Sequence, residues 1–472
     1  MARTFVVIGG DAAGMSAASK ARRDAPDTEV VVFEKGQWVS YGACGLPYYV
    51  KGDIDTLDDL VAMTPEEFAE RGVDLHQHHE VVDVDPEAKV VTAVHDGETV
   101  EQSYDDLLIA TGASAIVPPI DGVDLDGVFT LHSMDSAKKV KSYLTQEGSV
   151  PEDEFLEGYG AEVHDYLTSK TPESVGIVGG GYVGLEMAEA FEARGLDVHV
   201  FEMLPHVLAP FGPDAAETVE DHLREQGVDV HLDTTVERID EEAGRVAGVE
   251  AGGERFDVDM VLVATGVAPN ADLAAEAGIE LGATGAVATD EYGETSYDDV
   301  YAAGDCAEAH NAVTDAPDHV PLALTANRAG RAIGQTVAGD PTPVGDIVGT
   351  AVVKVLDLEV ARTGVIDHEE AREAGYDPIS QEITAGSRAH YYPGGSELEV
   401  RMTADRETGK LLGASIVGRE GVAKRIDTVA TALHADMTVD DVEYLDLSYA
   451  PPFSPVWDPV LTAAKVLAGK LD

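Results

Sequence analysis

Along this chain of 472 residues, short apolar runs bounded by glycine or charge read as buried strands. Ala- and Gly-rich stretches between them read as helices. Residues 4–9 (Thr-Phe-Val-Val-Ile-Gly) form the first such strand, a helix follows to about Arg23, and residues 29–34 (Glu-Val-Val-Val-Phe-Glu) form the next strand. The same order returns later: a strand at 174–179, a helix from about Gly184 to Arg194, and a strand at 197–202. Each set predicts a parallel β–α–β unit. Residues 107–112 and 261–266 are both apolar strands ending in Ala-Thr-Gly, and each is read as bringing the chain back across a core. Beyond them, strand-like pieces at 351–355, 398–402 and 411–417 precede a helix near 422–435. That order predicts an α+β terminal domain. A stretch rich in Glu, Asp and Gly, about 145–171, reads as a surface insertion.

Charge changes the picture most. Lys and Arg number 31 against 89 Asp and Glu, a net charge of −58 spread along the chain. Nucleic acid and anionic membranes are poor partners for such a surface. Its self-repulsion is best tolerated where salt screens it, which points to a halophilic source. No apolar run approaches the roughly 18 residues that a membrane helix needs. With a strand starting at Thr4, a cytoplasmic protein without leader is expected. There are two cysteines, Cys44 and Cys306. An internal disulfide is uncommon in such a compartment, so at least one of them needs another explanation.

The glycine loops supply chemistry. Gly179-Gly-Gly181-Tyr182-Val-Gly184 lies between a strand and a helix, with Glu202 eighteen residues beyond its last glycine. Glycines let a pyrophosphate approach the backbone at a helix N-terminus, and the carboxylate is placed for a ribose hydroxyl. No Arg or Lys follows Glu202 up to His206, which favours NADH, with NADPH still possible. The first loop, Gly9-Gly10-Asp11-Ala-Ala13-Gly14, carries Asp11 at the middle glycine and is followed by Glu34. A strand ending in Ala-Gly304-Asp305 presents a further carboxylate suited to a ribityl hydroxyl. Together these features point to FAD. The tract His76-Gln-His78-His79 has no ligand spacing, and no metal is expected.

In this order the strings resemble the FAD-dependent pyridine nucleotide–disulfide oxidoreductases over almost the whole chain. Val39-Ser40-Tyr-Gly-Ala-Cys44-Gly-Leu-Pro-Tyr48 is similar to the single-cysteine branch, which holds coenzyme A disulfide reductases, NADH oxidases and NADH peroxidases. The fold implied is α/β: two Rossmann-like nucleotide-binding domains plus a C-terminal α+β interface domain. The expected parts are an FAD domain at 1–115 that resumes at 283–341, an NADH domain at 116–282, and a dimerisation domain at 342–472. The resemblance adds Lys35, Ser40, Thr111, Gly112, Leu322, Ala323, Glu186 and Gly266 to the cofactor-binding set.

Cys44 has no cysteine five residues away on either side, unlike the Cys-x4-Cys relatives. A lone thiolate can still attack a substrate disulfide and hold one half as a mixed disulfide. It can also cycle through a sulfenic acid. Cys306 has no partner in sequence and reads as a buried small residue. The resemblance implies that Tyr449, within Asp446-Leu-Ser-Tyr-Ala-Pro-Pro-Phe453, and Tyr391, within Tyr-Tyr-Pro-Gly, act as proton donors across a homodimer interface. It also implies coenzyme A contacts at Ser19, Arg22, Arg71, Lys424 and Arg425. The usual lysine after Arg71 is replaced by Gly72. Ala12 stands where peroxidases carry histidine, which favours disulfide over peroxide. The expected function is reduction of coenzyme A disulfide, or a similar small disulfide. NADH oxidase and polysulfide or persulfide reductase are alternatives, and a flavoprotein redox sensor is a reading of another class.

Overall fold

The computed structural model describes residues 3–145 and 171–471, so the predicted acidic insertion falls almost wholly outside the described residues. Two parallel five-stranded sheets carry the nucleotide-type units. In the first, the spatial order is Val300–Ala302, Asp106–Ile109, Thr4–Ile8, Glu29–Phe33, Val73–His76. In the second it is Asp229–His231, Asp197–Phe201, Ser174–Val178, Met260–Val263, Val128–Thr130. The central strands are buried along almost their whole length, as strands covered on both faces must be. Val300–Ala302 completes the first sheet from far down the chain, pairing with Asp106–Ile109 in parallel. Ala113–Ala115 pairs antiparallel with Val267–Pro269, so the two crossing segments run side by side.

Helix Ala12–Asp24 packs directly on helix Ala323–Val337, and glycines make this possible. A Cβ on Gly330 would lie 2.0 Å from the Ala13 carbonyl oxygen, and one on Gly334 2.4 Å from that of Ala17.

The third sheet is antiparallel, in the order Ala351–Val355, Leu358–Gly364, Leu411–Gly418, Glu397–Asp405, Pro378–Gly386. Helices Val422–His434 and Pro459–Ala468 bury their apolar faces in a separate core on this sheet. Two of its strands are not predicted by the apolar pattern. Pro378–Gly386 is an edge strand in which only Pro378 is fully buried, and polar Ser380, Gln381, Glu382 and Thr384 break up its apolar pattern. In Leu358–Gly364 the charged Glu359 and Arg362 interrupt the apolar run.

Candidate active site

The two glycine loops are built alike. Gly9 and Gly179 both have φ +110°, and a Cβ would lie 2.1 Å from the Ala110 oxygen in one and 2.4 Å from the Ala264 oxygen in the other. Only glycine fits such a position. A Cβ on Gly14 would meet the Gly9 oxygen at 2.0 Å, and one on Gly184 the Gly179 oxygen at 2.1 Å, so both helices press onto their loops. The acidic residues are also used alike. Glu34 accepts from Gly10 N (2.8 Å) and Gly36 N (2.6 Å), and Glu202 from Gly180 N (2.7 Å) and Leu204 N (2.8 Å). Nothing lies within 4 Å of a Cβ position on Gly181, which leaves its backbone open to a ligand. Tyr182 opens the second helix, its ring edge-on to Phe211 at 5.3 Å.

Asp11 does not point idly away from the first loop. Its carboxylate accepts from Tyr41 N at 3.1 Å and ties the loop to the segment that leads into Cys44. Burial, with Glu34 and Asp305 adding like charge, pushes Asp11 up to about 6. Ser40, at φ +49°, donates from its N–H to the Gly10 carbonyl at 2.9 Å. Lys35 is exposed beside Glu34. Thr111 and Asn270 exchange bonds of 2.7 and 2.8 Å, and Gly112, at φ +68°, accepts from Asn270 N. Gly266, at φ +105°, accepts from Ile116 N. Gly304, at φ +85°, leads into Asp305, whose carboxyl is raised by burial. Leu322 caps helix Ala323–Val337, with Ala323 as its first residue.

Cys44 sits in the single turn Ala43–Gly45, which runs on into helix Leu46–Lys51. Its side chain faces solvent, yet the wall around it still costs the thiolate hydration. Burial therefore raises the thiol, and Glu186, then Asp305 and Asp11, raise it further. Cys306 is buried, its sulfur directed at the carbonyls of Ile109 (3.5 Å) and Ala303 (3.4 Å). The structure therefore explains Cys306 as core.

The structure also brings together Tyr48 and Glu186, a pair the sequence reading did not contain. The Tyr48 hydroxyl donates to Glu186 Oε1 at 3.1 Å. Its only sequence signal is the spacing of four from Cys44, which puts both on one helical face. Burial drives Glu186 up to about 7, with Glu189 adding to the rise and Tyr48 and Lys354 opposing it.

Tyr391 and Tyr449 meet on the third domain, their hydroxyls 2.9 Å apart. That bond is the chief cause of the upward shift of Tyr449. In the stretch of chain that carries Tyr449, the side chains of Tyr444, Phe453, Val456 and Trp457 are exposed as well. Arg425 fixes this segment. It donates to Asp458 Oδ2 (2.9 Å) and to the carbonyls of Ser387 (3.0 Å) and Phe453 (3.1 Å), with both charged side chains only 11 and 12 % exposed. Its donors are thus engaged within the chain. Removing one member of a buried pair strands the other, so Arg425→Ala should cost about 3 kcal/mol, read as a lowered denaturation midpoint. Lys424 is exposed and pairs with Asp427 at 3.0 Å.

On the first domain, Arg22 donates to the Arg71 carbonyl at 3.2 Å, and Ser19 lies one turn back on the same helix. Gly72 has φ +79°, and a Cβ there would lie 2.7 Å from the Arg22 guanidinium. The place of the missing lysine is therefore filled by Arg22 itself. In the histidine tract, His79 stacks on His95 at 4.2 Å and His76 on Phe33 at 5.2 Å. Among the described residues no cluster of His, Cys, Asp and Glu could hold a metal ion. None of the described helices is long and apolar enough to cross a membrane.

Two dinucleotide cradles, an exposed cysteine in a segment hydrogen-bonded to the first loop at Asp11 and to the second nucleotide helix at Glu186, and an antiparallel sheet with its own core define a nicotinamide-dependent flavoprotein oxidoreductase. The chain belongs to the pyridine nucleotide-disulphide oxidoreductase family, whose family model matches residues 3–330, while the model of that family's dimerisation domain matches residues 350–459. Its cofactors are FAD and a nicotinamide dinucleotide, and the glycine cradles fit both groups. The chain is 41 % identical to the NAD(P)H sulfur oxidoreductase (CoA-dependent) of Pyrococcus abyssi, over 98 % of each chain. It is 39 % identical to the NAD(P)H coenzyme A polysulfide/persulfide reductase of Pyrococcus horikoshii, over 99 % of each. Among solved structures, the NAD-dependent persulfide reductase from A. fulgidus superposes with a TM-score of 0.91 at 38 % identity, covering 99 % of this chain and 83 % of that one.

Proposed function

We propose that this protein is an NADH-dependent reductase of coenzyme A disulfide or a closely related small disulfide, with Cys44 as its redox sulfur. The observation that carries the reading is the placement of Cys44. It is the exposed one of the two cysteines, in the turn that leads into helix Leu46–Lys51, whose Tyr48 is hydrogen-bonded to the nucleotide helix Tyr182–Ala193. Gly9, Gly10, Ala13, Gly14, Glu34, Lys35, Ser40, Thr111, Gly112, Gly304, Asp305, Leu322 and Ala323 hold FAD. Gly179, Gly181, Tyr182, Gly184, Glu186, Glu202 and Gly266 hold NADH. Glu202, with Met203 and Leu204 exposed after it and no cation, disfavours a 2′-phosphate.

The Cys44 thiolate attacks one sulfur of the substrate and keeps that half as a mixed disulfide, while the other half leaves as a thiolate. Bound FAD supplies the electron pair, drawn from the nicotinamide, that releases the retained half. Tyr449, held in place by its bond to Tyr391, gives the leaving thiolate its proton from the second subunit of a homodimer. The exposed large apolar side chains of residues 444–457 and the match to a dimerisation domain support that assembly. Ser19 and Arg71 on one subunit, with Lys424 on the other, are assigned to coenzyme A, and Arg22, whose guanidinium donates to the carbonyls of Arg71, Pro26 and Thr28, holds that corner in place. For Arg425 we assign the role of fixing the Tyr449 segment.

A general acid of this kind is worth about 10²-fold or more. Tyr449→Phe should therefore lower kcat by about 10²-fold with little change in KM, read in steady-state kinetics. The names of the two Pyrococcus relatives favour one second reading, in which the sulfur–sulfur bond cleaved is that of a coenzyme A persulfide or polysulfide. Anaerobic NADH consumption with coenzyme A disulfide, glutathione disulfide and polysulfide decides between them. Fastest turnover with coenzyme A disulfide supports the first reading, and with polysulfide the second. Turnover with oxygen alone removes both.

A further inference from the structure

The likeness of the two cradles extends beyond their glycines and acidic residues. In both, the chain that leaves the acidic residue turns back over the second glycine of its own loop. Gly10 donates its N–H to Glu34 and accepts at its carbonyl from Ser40 N at 2.9 Å. Gly180 donates its N–H to Glu202 and accepts from Leu208 N at 2.9 Å. A Cβ on Gly10 would lie 2.8 Å from the Val39 side chain, and one on Gly180 2.7 Å from that of Val207. Ser40 and Leu208 close the two turns at φ +49° and +45°. Neither is a glycine, so each turn holds a conformation that its own residue disfavours and that its surroundings must fix.

In both cases a single carboxylate on a separate helix fixes it. Glu220, on helix Pro213–Glu225, accepts at one oxygen from His206 Nδ1 (3.1 Å) and Val207 N (3.2 Å). Asp135, on helix Met134–Tyr143, accepts at one oxygen from Gln37 Nε2 and Trp38 Nε1, both at 3.0 Å. Glu220 is only 4 % exposed, and Gln37 and Trp38 5 % each, so these bonds are shielded from water. Trp38 and His206 stand at equivalent places, two residues before Ser40 and Leu208. The two carboxylates come from unlike places in the chain, Asp135 lying 98 residues from Gln37 and Glu220 only 14 from His206. The same support is thus built twice from different sequence.

We propose that Asp135 and Glu220 are positioning residues, one for each cradle, that hold the turn behind the ribose-facing carboxylate. Each acts through the turn. The carboxylate fixes residues 37–40 or 206–208, the turn fixes Gly10 or Gly180, and the N–H of that glycine aims Glu34 or Glu202. Asp135 thereby serves FAD and Glu220 serves NADH. That division rests on the cofactor assignment proposed above, whereas the support of each turn does not.

The test compares alanine and amide variants of each residue in the FAD-loaded protein, by two binding measurements. FAD release on dilution is followed by the fluorescence of free flavin. Affinity for ADP-ribose, which carries the adenosine and pyrophosphate of NADH without its nicotinamide, is measured by isothermal titration calorimetry. Alanine removes an acceptor shared by two shielded donors, a loss worth about tenfold in binding. Glu220→Ala should therefore weaken ADP-ribose about tenfold and leave FAD release unchanged. Asp135→Ala should speed FAD release about tenfold and leave ADP-ribose affinity unchanged. Glu220→Gln and Asp135→Asn keep the accepting oxygen and lose only the assistance of charge, so both should stay within about threefold of wild type. An alanine variant with wild-type binding in its own cradle overturns the proposal. So does an amide variant as weak as its alanine counterpart, or an alanine variant that loosens both ligands equally, which marks a general loss of packing. An exchange of effects between the two alanine variants keeps the supporting role and removes the assignment of FAD and NADH to their cradles.

Discussion

Cys44→Ser should abolish disulfide reduction, lowering kcat/KM for coenzyme A disulfide by at least about 10³-fold. The serine hydroxyl is neutral at working pH and forms no sulfur–sulfur bond, so the first covalent step has no counterpart. Cys306 offers no substitute, because it is buried at 0 % exposure beneath the Ala-Gly-Asp turn and has no path to a solvent-borne disulfide. The two glycine cradles are untouched by the exchange. The variant should therefore bind FAD normally and still accept electrons from NADH, which shows as bleaching of the flavin absorbance. Stopped-flow spectroscopy separates the two halves: flavin reduction at the wild-type rate and no reoxidation by disulfide. A variant that keeps disulfide turnover would remove Cys44 from the mechanism.

The second large effect is expected at Gly179→Ala. Alanine must there adopt φ +110°, a region L side chains rarely adopt, with its Cβ 2.4 Å from the Ala264 carbonyl oxygen. The loop has to move, and displacements of about 1 Å in positioning a reactant cost about 10²-fold. Flavin reduction by NADH should slow by about that factor. FAD content should stay at the wild-type level, because FAD is assigned to the other cradle. Gly9→Ala is the mirror case: its Cβ would lie 2.1 Å from the Ala110 oxygen, and the protein should purify with little flavin. The two variants together test whether the duplicated loops divide the cofactors as proposed.

The duplicated units were legible because each is a dense local signal. Strand, glycine loop, helix and acidic residue follow within about thirty residues, the length of one β–α–β unit. The structure adds that Glu34 and Glu202 each bind their own loop, a second use that motif spacing does not express. The third domain was half legible. Leu411–Gly418, buried throughout, stood out, whereas the edge strand Pro378–Gly386 did not, because it is only partly covered, with Ile379 and Ile383 packed on the core among exposed or half-exposed polar residues. The Tyr48–Glu186 contact was illegible for another reason. It joins residues 138 apart in sequence, and only the packing of two helices brings them together. Gly72 read as a lost phosphate ligand in sequence, and the fold supplies its reason in the guanidinium of Arg22. Arg425 was expected at coenzyme A from the resemblance, and the fold engages its guanidinium with Asp458 and the Phe453 carbonyl. Scarcity of basic residues in an acidic chain marks them as informative, but not what they hold.

The most direct test of the central claim is to trap the covalent intermediate. Protein whose thiols have been freed with dithiothreitol, desalted anaerobically with its flavin oxidised, is mixed with an equimolar amount of coenzyme A disulfide, quenched in acid and mapped by peptide mass spectrometry. The account predicts one coenzyme A moiety per chain, on the peptide that contains Cys44, removed by added NADH. An adduct on Cys306, or continued turnover with no adduct on Cys44, would contradict it.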